Sequence, residues 1–178
     1  MLQAKVKKTQ NEKMTNVRLD DLPKMRRNEL DELYLLATTP TIEEVKGVTD
    51  GRILTGVIPF NKYFSWIPWK GKVFEPLTAN SGKGINRIEV GSFKRKWFSY
   101  ETSIIPPLFG NDDVLTLDYS NQGNIWPIRL VRDDLKKLHD GLFLGAVYLR
   151  SKKGYKFTLY FALGLAKNNE PFKSNKYR

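Results

Sequence analysis

The sequence predicts a mainly β protein: an antiparallel up-and-down barrel of about eight strands with a short helical N-terminal arm. Three observations lead there. Apolar residues recur at helical spacing only in the first quarter of the chain. After Gly51 the texture becomes segments of about 6–10 residues, rich in β-branched and aromatic side chains and separated by turn formers. No helical stretches alternate with these segments, which argues against parallel βαβ units.

Taken in order, residues 1–18 are polar and without periodicity, and are expected to be a mobile basic tail. Leu19-Asp20-Asp21-Leu22-Pro23 offers acidic capping residues and a proline, a helix start. Leu30, Leu33, Tyr34 and Ala37 then share one helical face, so the spacing predicts a helix over 24–37, ended by Thr38-Thr39-Pro40. Thr41-x-x-Glu44 matches a capping box, and a short turn over 41–46 would close at Gly47.

The expected strands are Gly51–Pro59, Lys70–Leu77, Ile85–Phe93, Lys96–Ile105, Val114–Tyr119, Ile128–Leu138, Leu142–Arg150 and Lys156–Leu163. Asp140-Gly141 is the sharpest hairpin signal between them. Residues 129–138 carry a charge pattern that also suits a helix. Leu142–Leu149 is apolar on both faces, which fits a strand with the barrel interior on one side and the N-terminal helix on the other. Along 157–163 one face carries Phe157, Leu159, Phe161 and Leu163, and the other Thr158, Tyr160 and Ala162. The expected arrangement turns Tyr160 inward, with Gly145 and Ala146 removing bulk beside it to leave a cavity. The competing arrangement puts the apolar face inside and fills the barrel.

The chain of 178 residues fits one domain, placed at 19–163, with a second basic tail at 164–178. There is no cysteine, which excludes disulfides, thiolate catalysis and cysteine-ligated metals. No secretory leader or membrane-length apolar run is visible, so a soluble cytoplasmic protein is expected. The net charge is +11. Residues 1–18 hold five basic side chains against Glu12, and 164–178 hold four against Glu170, so most of the excess lies in the tails. At most weak, non-specific polyanion binding through those tails is expected.

A resemblance adds to this reading. It rests on Leu22-Pro23-x-Met25, Glu29-Leu30-Asp31-x-Leu33-Tyr34, Trp69-Lys70-Gly71-Lys72-x-Phe74 and Gly84-x-Asn86. Further along come Leu117-Asp118-Tyr119, Arg132-Asp133-Asp134, Asp140-Gly141-Leu142-x-Leu144-Gly145 and Leu159-Tyr160-Phe161-Ala162-Leu163. In this order the motifs resemble a set of small, largely uncharacterised bacterial proteins that look lipocalin-like or fatty-acid-binding-protein-like. The resemblance covers about 19–163 and implies the barrel fold; it implies no activity.

No residue pattern names a reaction, a cofactor or a metal. His139, the only histidine, falls at a turn. Adjacent carboxylates, such as Asp133-Asp134, point to opposite faces of a strand and so rarely form an acid/base couple, and the pairs in turns and helix starts read as caps and turn formers. Ser81-Gly82-Lys83-Gly84 lacks phosphate-loop spacing. Asp118, inward, would need a partner such as Arg87 or Arg129; outward, it alternates with Leu117 and Tyr119. Four tryptophans and eight tyrosines suggest a lined pocket. Trp69, Trp97, Tyr148 and Tyr160 are candidate ligand-binding residues, with Trp66 and Trp126 as further aromatics. Lys72, Arg87 and Asp118 are the candidate polar ones.

The expected function is binding of a small apolar or amphipathic molecule inside a lipocalin-like barrel, without covalent chemistry. Two alternatives stand beside it: an isomerase or lyase using tyrosine, arginine and carboxylate groups, and a tail-driven binder of nucleic acid or anionic membrane.

Overall fold

The two-residue alternation folds into eight strands: β1 Gly47–Gly56, β2 Trp69–Pro76, β3 Ser81–Val90, β4 Phe93–Ile105, β5 Val114–Asp118, β6 Val131–His139, β7 Leu142–Ser151 and β8 Gly154–Leu165. Each pairs antiparallel with its sequence neighbour, and β1 pairs with β8 to close the barrel. The computed structural model describes residues 14–56, 68–90 and 93–166. Residues 1–13 and 167–178 of the two tails, Trp66, and the ends of the expected strands 51–59 and 85–93 lie outside the described residues.

All eight expected strands are present. Asp140-Gly141 makes the two-residue β6–β7 turn, with Gly141 at φ 79° where an L side chain is disfavoured. Residues 128–130 form a 3₁₀ turn rather than the start of β6. The helical reading of 129–138 fails because both faces of β6 are covered, so its charges are buried and paired rather than solvated.

The helix α1 spans Arg27–Leu36, shorter than expected because Leu22–Lys24 forms a separate 3₁₀ turn around Pro23. Glu29 accepts the Arg26 backbone N–H at 2.8 Å and satisfies one of the amides a helix start leaves open. Thr41 and Glu44 form the reciprocal box, with 2.8 and 3.3 Å bonds, but it closes a turn rather than a helix.

α1 buries Leu30, Leu33 and Tyr34 against the outer face of β7 and β8, where Leu142, Leu144, Ala146, Tyr148, Tyr160 and Ala162 lie. Phe143, Val147, Leu159, Phe161 and Leu163 point the other way, into the barrel. This corrects the expected arrangement: Tyr160 faces outward under the helix, where its hydroxyl donates to Asp31 Oδ1 at 2.7 Å. Phe157 lies on that outer side too, beneath the Arg27 guanidinium at 3.7 Å, because β7 and β8 slip register between Val147 and Tyr148. Gly145 does not open space. A Cβ there would stand 2.1 Å from the Phe161 ring, so that ring fills the place of the missing side chain.

The segment read as a mobile tail also packs where it is described. Met14 and Val17 are buried in the cluster beneath α1, and the Val17 carbonyl lies 2.8 Å from His139 Nε2. The Met14→Ala/Val17→Ala double variant is therefore expected to lose at least about 2 kcal/mol. That corresponds to a melting temperature roughly 4–8 °C lower; an unchanged melting curve would show that 14–18 is not docked.

Candidate functional site: a half-open barrel with a polar floor

In an up-and-down barrel the β1–β2, β3–β4, β5–β6 and β7–β8 connections share one end. The half of the interior beneath that end holds a cavity of about 130 Å³. The other half is packed solid by Phe74, Tyr100, Leu115, Leu117, Leu135 and Phe143. The cavity wall is apolar, formed by residues such as Ile53, Trp69, Ile88, Val147, Leu159 and Phe161.

Phe98 reaches this wall through a bulge. Ile85 pairs with Ser99 and Asn86 with Trp97, so Phe98 is the extra residue between them. It takes φ 60°, a left-handed conformation costly for an aromatic residue. The bulge aims Phe98 inward and leaves Trp97 exposed.

Lys72, Asn86 and Asp133 sit two or three residues further from that end than Trp69, Ile88 and Val131, and with Tyr119 they form a polar floor. Lys72 Nζ lies 3.0 Å from Asp133 Oδ2, with side-chain exposures of 4% and 3%. Its ammonium also donates to Asn86 Oδ1 at 2.9 Å and to the Tyr119 hydroxyl. Tyr119 donates to Asp133 Oδ2 at 3.2 Å and accepts from Asn86 Nδ2 at 3.1 Å. Trp69 Nε1 completes Asn86 at 2.9 Å. Four rings, those of Trp69, Tyr100, Tyr119 and Phe161, surround Nζ with centroids 5.0–5.6 Å away.

Burial pulls both partners toward neutrality. It lowers the Lys72 amine and raises the Asp133 carboxyl from their ordinary ranges, while their mutual attraction opposes both shifts. Burial and the charge of Asp133 raise the Tyr119 phenol well above its usual value. All three ammonium protons have acceptors, so the cluster is internally balanced except at one atom. Asp133 Oδ1 is buried and has no hydrogen-bond partner.

Of the seven candidate residues, the structure brings Trp69 and Lys72 to this cavity. Arg87 turns outward, bonding the Thr49 carbonyl at 2.7 Å, Asp50 at 3.0 Å and Glu89 at 3.2 Å. Asp118 is exposed and accepts the Ser120 amide at 2.8 Å. Trp97 is exposed, and Tyr148 and Tyr160 lie under α1. His139 sits at the β6–β7 turn, at the opposite end of the barrel. Sequence reasoning missed Asp133, Asn86 and Tyr119 as site residues. β2 and β6 are not neighbours in the sheet, so no cross-strand pattern links Lys72 to Asp133.

No protein-family model matches the chain, and no curated protein matches it in sequence. A crystal structure of a protein from Thermomonospora curvata is similar in fold. It superposes with a TM-score of 0.58 over 80% of this chain and 89% of that chain, at 16% identity. The likeness supports the barrel architecture and carries no activity.

Proposed function

We propose that the barrel binds a small, mainly apolar molecule about one ring in girth, bearing a neutral hydrogen-bond donor that seats on Asp133. The observation that carries this reading is Asp133, which borders an otherwise apolar cavity while its Oδ1, buried behind the cavity wall, has no hydrogen-bond partner. Closed cavities of roughly 150 Å³ lined by Leu, Ile and Phe stay dry and accept benzene. The cavity here is of that size, and a single unpartnered acceptor, Asp133 Oδ1, lies buried behind its wall, reached by a ligand donor once the floor side chains shift.

The charge balance of the floor sets the head-group chemistry. Lys72 is already neutralised by Asp133 and saturated by Asn86 and Tyr119, so no free cation waits for a carboxylate. A fatty-acid head group would meet Asp133 as a like charge. A hydroxyl that displaces the side chains covering Oδ1 would meet an unused lone pair, a bond worth about 1.5–3 kcal/mol to a charged acceptor before the cost of that displacement.

Calorimetric titration with phenol, anisole and benzoate tests this. Phenol is expected to bind at least tenfold more tightly than anisole, which lacks the donor, and benzoate not to bind measurably. Equal affinities for phenol and anisole would remove Asp133 from the recognition, and preferred binding of benzoate would reverse the proposed chemistry.

A further inference from the structure

We infer that the cavity end of the barrel, where the β3–β4, β5–β6 and β7–β8 connections lie, docks on an anionic lipid surface. The sequence places most of the excess positive charge in the tails, but the fold sorts the remaining charge by end. The β3–β4 hairpin presents exposed Lys94 and Arg95, and the β7–β8 hairpin presents exposed Lys152 and Lys153. The opposite end carries exposed Asp112, Asp113 and Asp140 at the β4–β5 and β6–β7 connections, of which Asp112 and Asp140 pair with Lys136 and Lys137, and exposed Lys46 and Lys83, which pair with Glu43 and Glu75; exposed Asp118 is the acidic side chain at the cavity end. An anionic plane therefore attracts the cavity end more strongly than the opposite one, which orients the barrel with its cavity toward the plane.

The same end exposes large apolar side chains. Trp97 is 48% exposed beside Arg95, whose guanidinium lies 5.8 Å from its ring. Ile125 and Trp126, on the β5–β6 connection, are 61% and 73% exposed. Tryptophan partitions to the head-group layer of a bilayer, where its ring is dehydrated and its N–H stays wet. Basic side chains beside such rings add the electrostatic part, about fivefold in partitioning for each one near an anionic surface. Among the described residues no helix is long and apolar enough to cross a membrane. A nucleic acid would also be drawn by the charge, but Ile125 and Trp126 form an exposed apolar tip, and the basic side chain on that loop, Arg129, is turned back onto the Asn124 and Gln122 carbonyls at 2.6 Å each.

This inference does not require an occupied cavity, so it stands or falls apart from the proposed ligand. The test uses the full chain with both tails and vesicles of phosphatidylcholine, with or without phosphatidylglycerol. The wild type should sediment with the phosphatidylglycerol vesicles, and brominated acyl chains should quench its tryptophan emission. Lys94→Glu/Arg95→Glu/Lys152→Glu/Lys153→Glu should weaken partitioning at least tenfold while leaving the melting temperature unchanged. Trp126→Phe should lose a large part of the quenching. Unaltered partitioning of the fourfold variant would assign binding to the tails and overturn the inference. So would absent binding to phosphatidylglycerol vesicles, or tighter binding of a single-stranded oligonucleotide than of vesicles at the same salt.

Discussion

Replacing Lys72 with Met is expected to destabilise the protein by about 3–5 kcal/mol, and Asp133→Asn by a similar amount, because each leaves a buried partner uncompensated. The two losses should respond to pH in opposite directions. With Lys72 gone, the Asp133 carboxyl, already raised by burial, loses the attraction that opposed the shift. A carboxyl whose folded pKa lies above its unfolded value costs stability once it must ionise. The Lys72→Met deficit should therefore shrink at acid pH and grow as pH rises through the folded pKa. With the charge of Asp133 gone, the Lys72 amine falls further below its ordinary range. Its deficit should be largest where the amine must be protonated and should shrink as pH rises toward the unfolded lysine value. The double variant Lys72→Met/Asp133→Leu should recover most of the stability, since a buried pair is worth little against well-packed apolar groups. Urea unfolding of the three variants between pH 5 and pH 9 measures this. Parallel pH profiles for the two singles would show that the pair is not the coupled unit described.

Phe161→Ala is expected to cost about 3–5 kcal/mol and to change ligand size preference. The ring meets Trp69 edge-on with centroids 5.7 Å apart, lies 5.0 Å from Lys72 Nζ, and occupies the hollow that Gly145 leaves. Its removal extends the cavity toward β7. The variant should bind 2-naphthol more tightly than wild type does, while losing affinity for phenol. A variant that unfolds at wild-type denaturant concentrations, or that keeps the wild-type order of ligands, would contradict this packing.

The strand plan was legible because its signals are local. Asp140-Gly141 marks a turn wherever the neighbouring strands go, and the two-faced apolar run of β7 announces that something covers the barrel there. The helix positions Leu30, Leu33 and Tyr34 matched a 3.6-residue period that needs no tertiary information. The inside–outside choice for β8 was not legible. Both of its faces are apolar, since Tyr160 and Ala162 pack under α1 while Phe161 and Leu163 pack in the barrel. Only the direction of closure distinguishes them. The same covering hid Asp133 and Asp134. Adjacent strand carboxylates suggest one solvated face, yet Asp134 is buried outside the barrel against Arg132 at 2.7 Å, and Asp133 is buried inside it. The polar floor draws on β2, β3 and β6 and on Tyr119 just beyond β5, so its assembly is a property of barrel closure.

The proposed ligand is a ring that enters the cavity with its donor group directed at Asp133. A crystal structure of the protein soaked in 4-bromophenol tests it most directly, because the bromine reports position by anomalous scattering. The expected result is a single ordered molecule between Val147, Leu159 and Ile88, with its hydroxyl within hydrogen-bond distance of Asp133 Oδ1 and its bromine away from the polar floor. A bromine peak at the polar floor, or bromophenol bound only outside the barrel with the cavity empty, would contradict it.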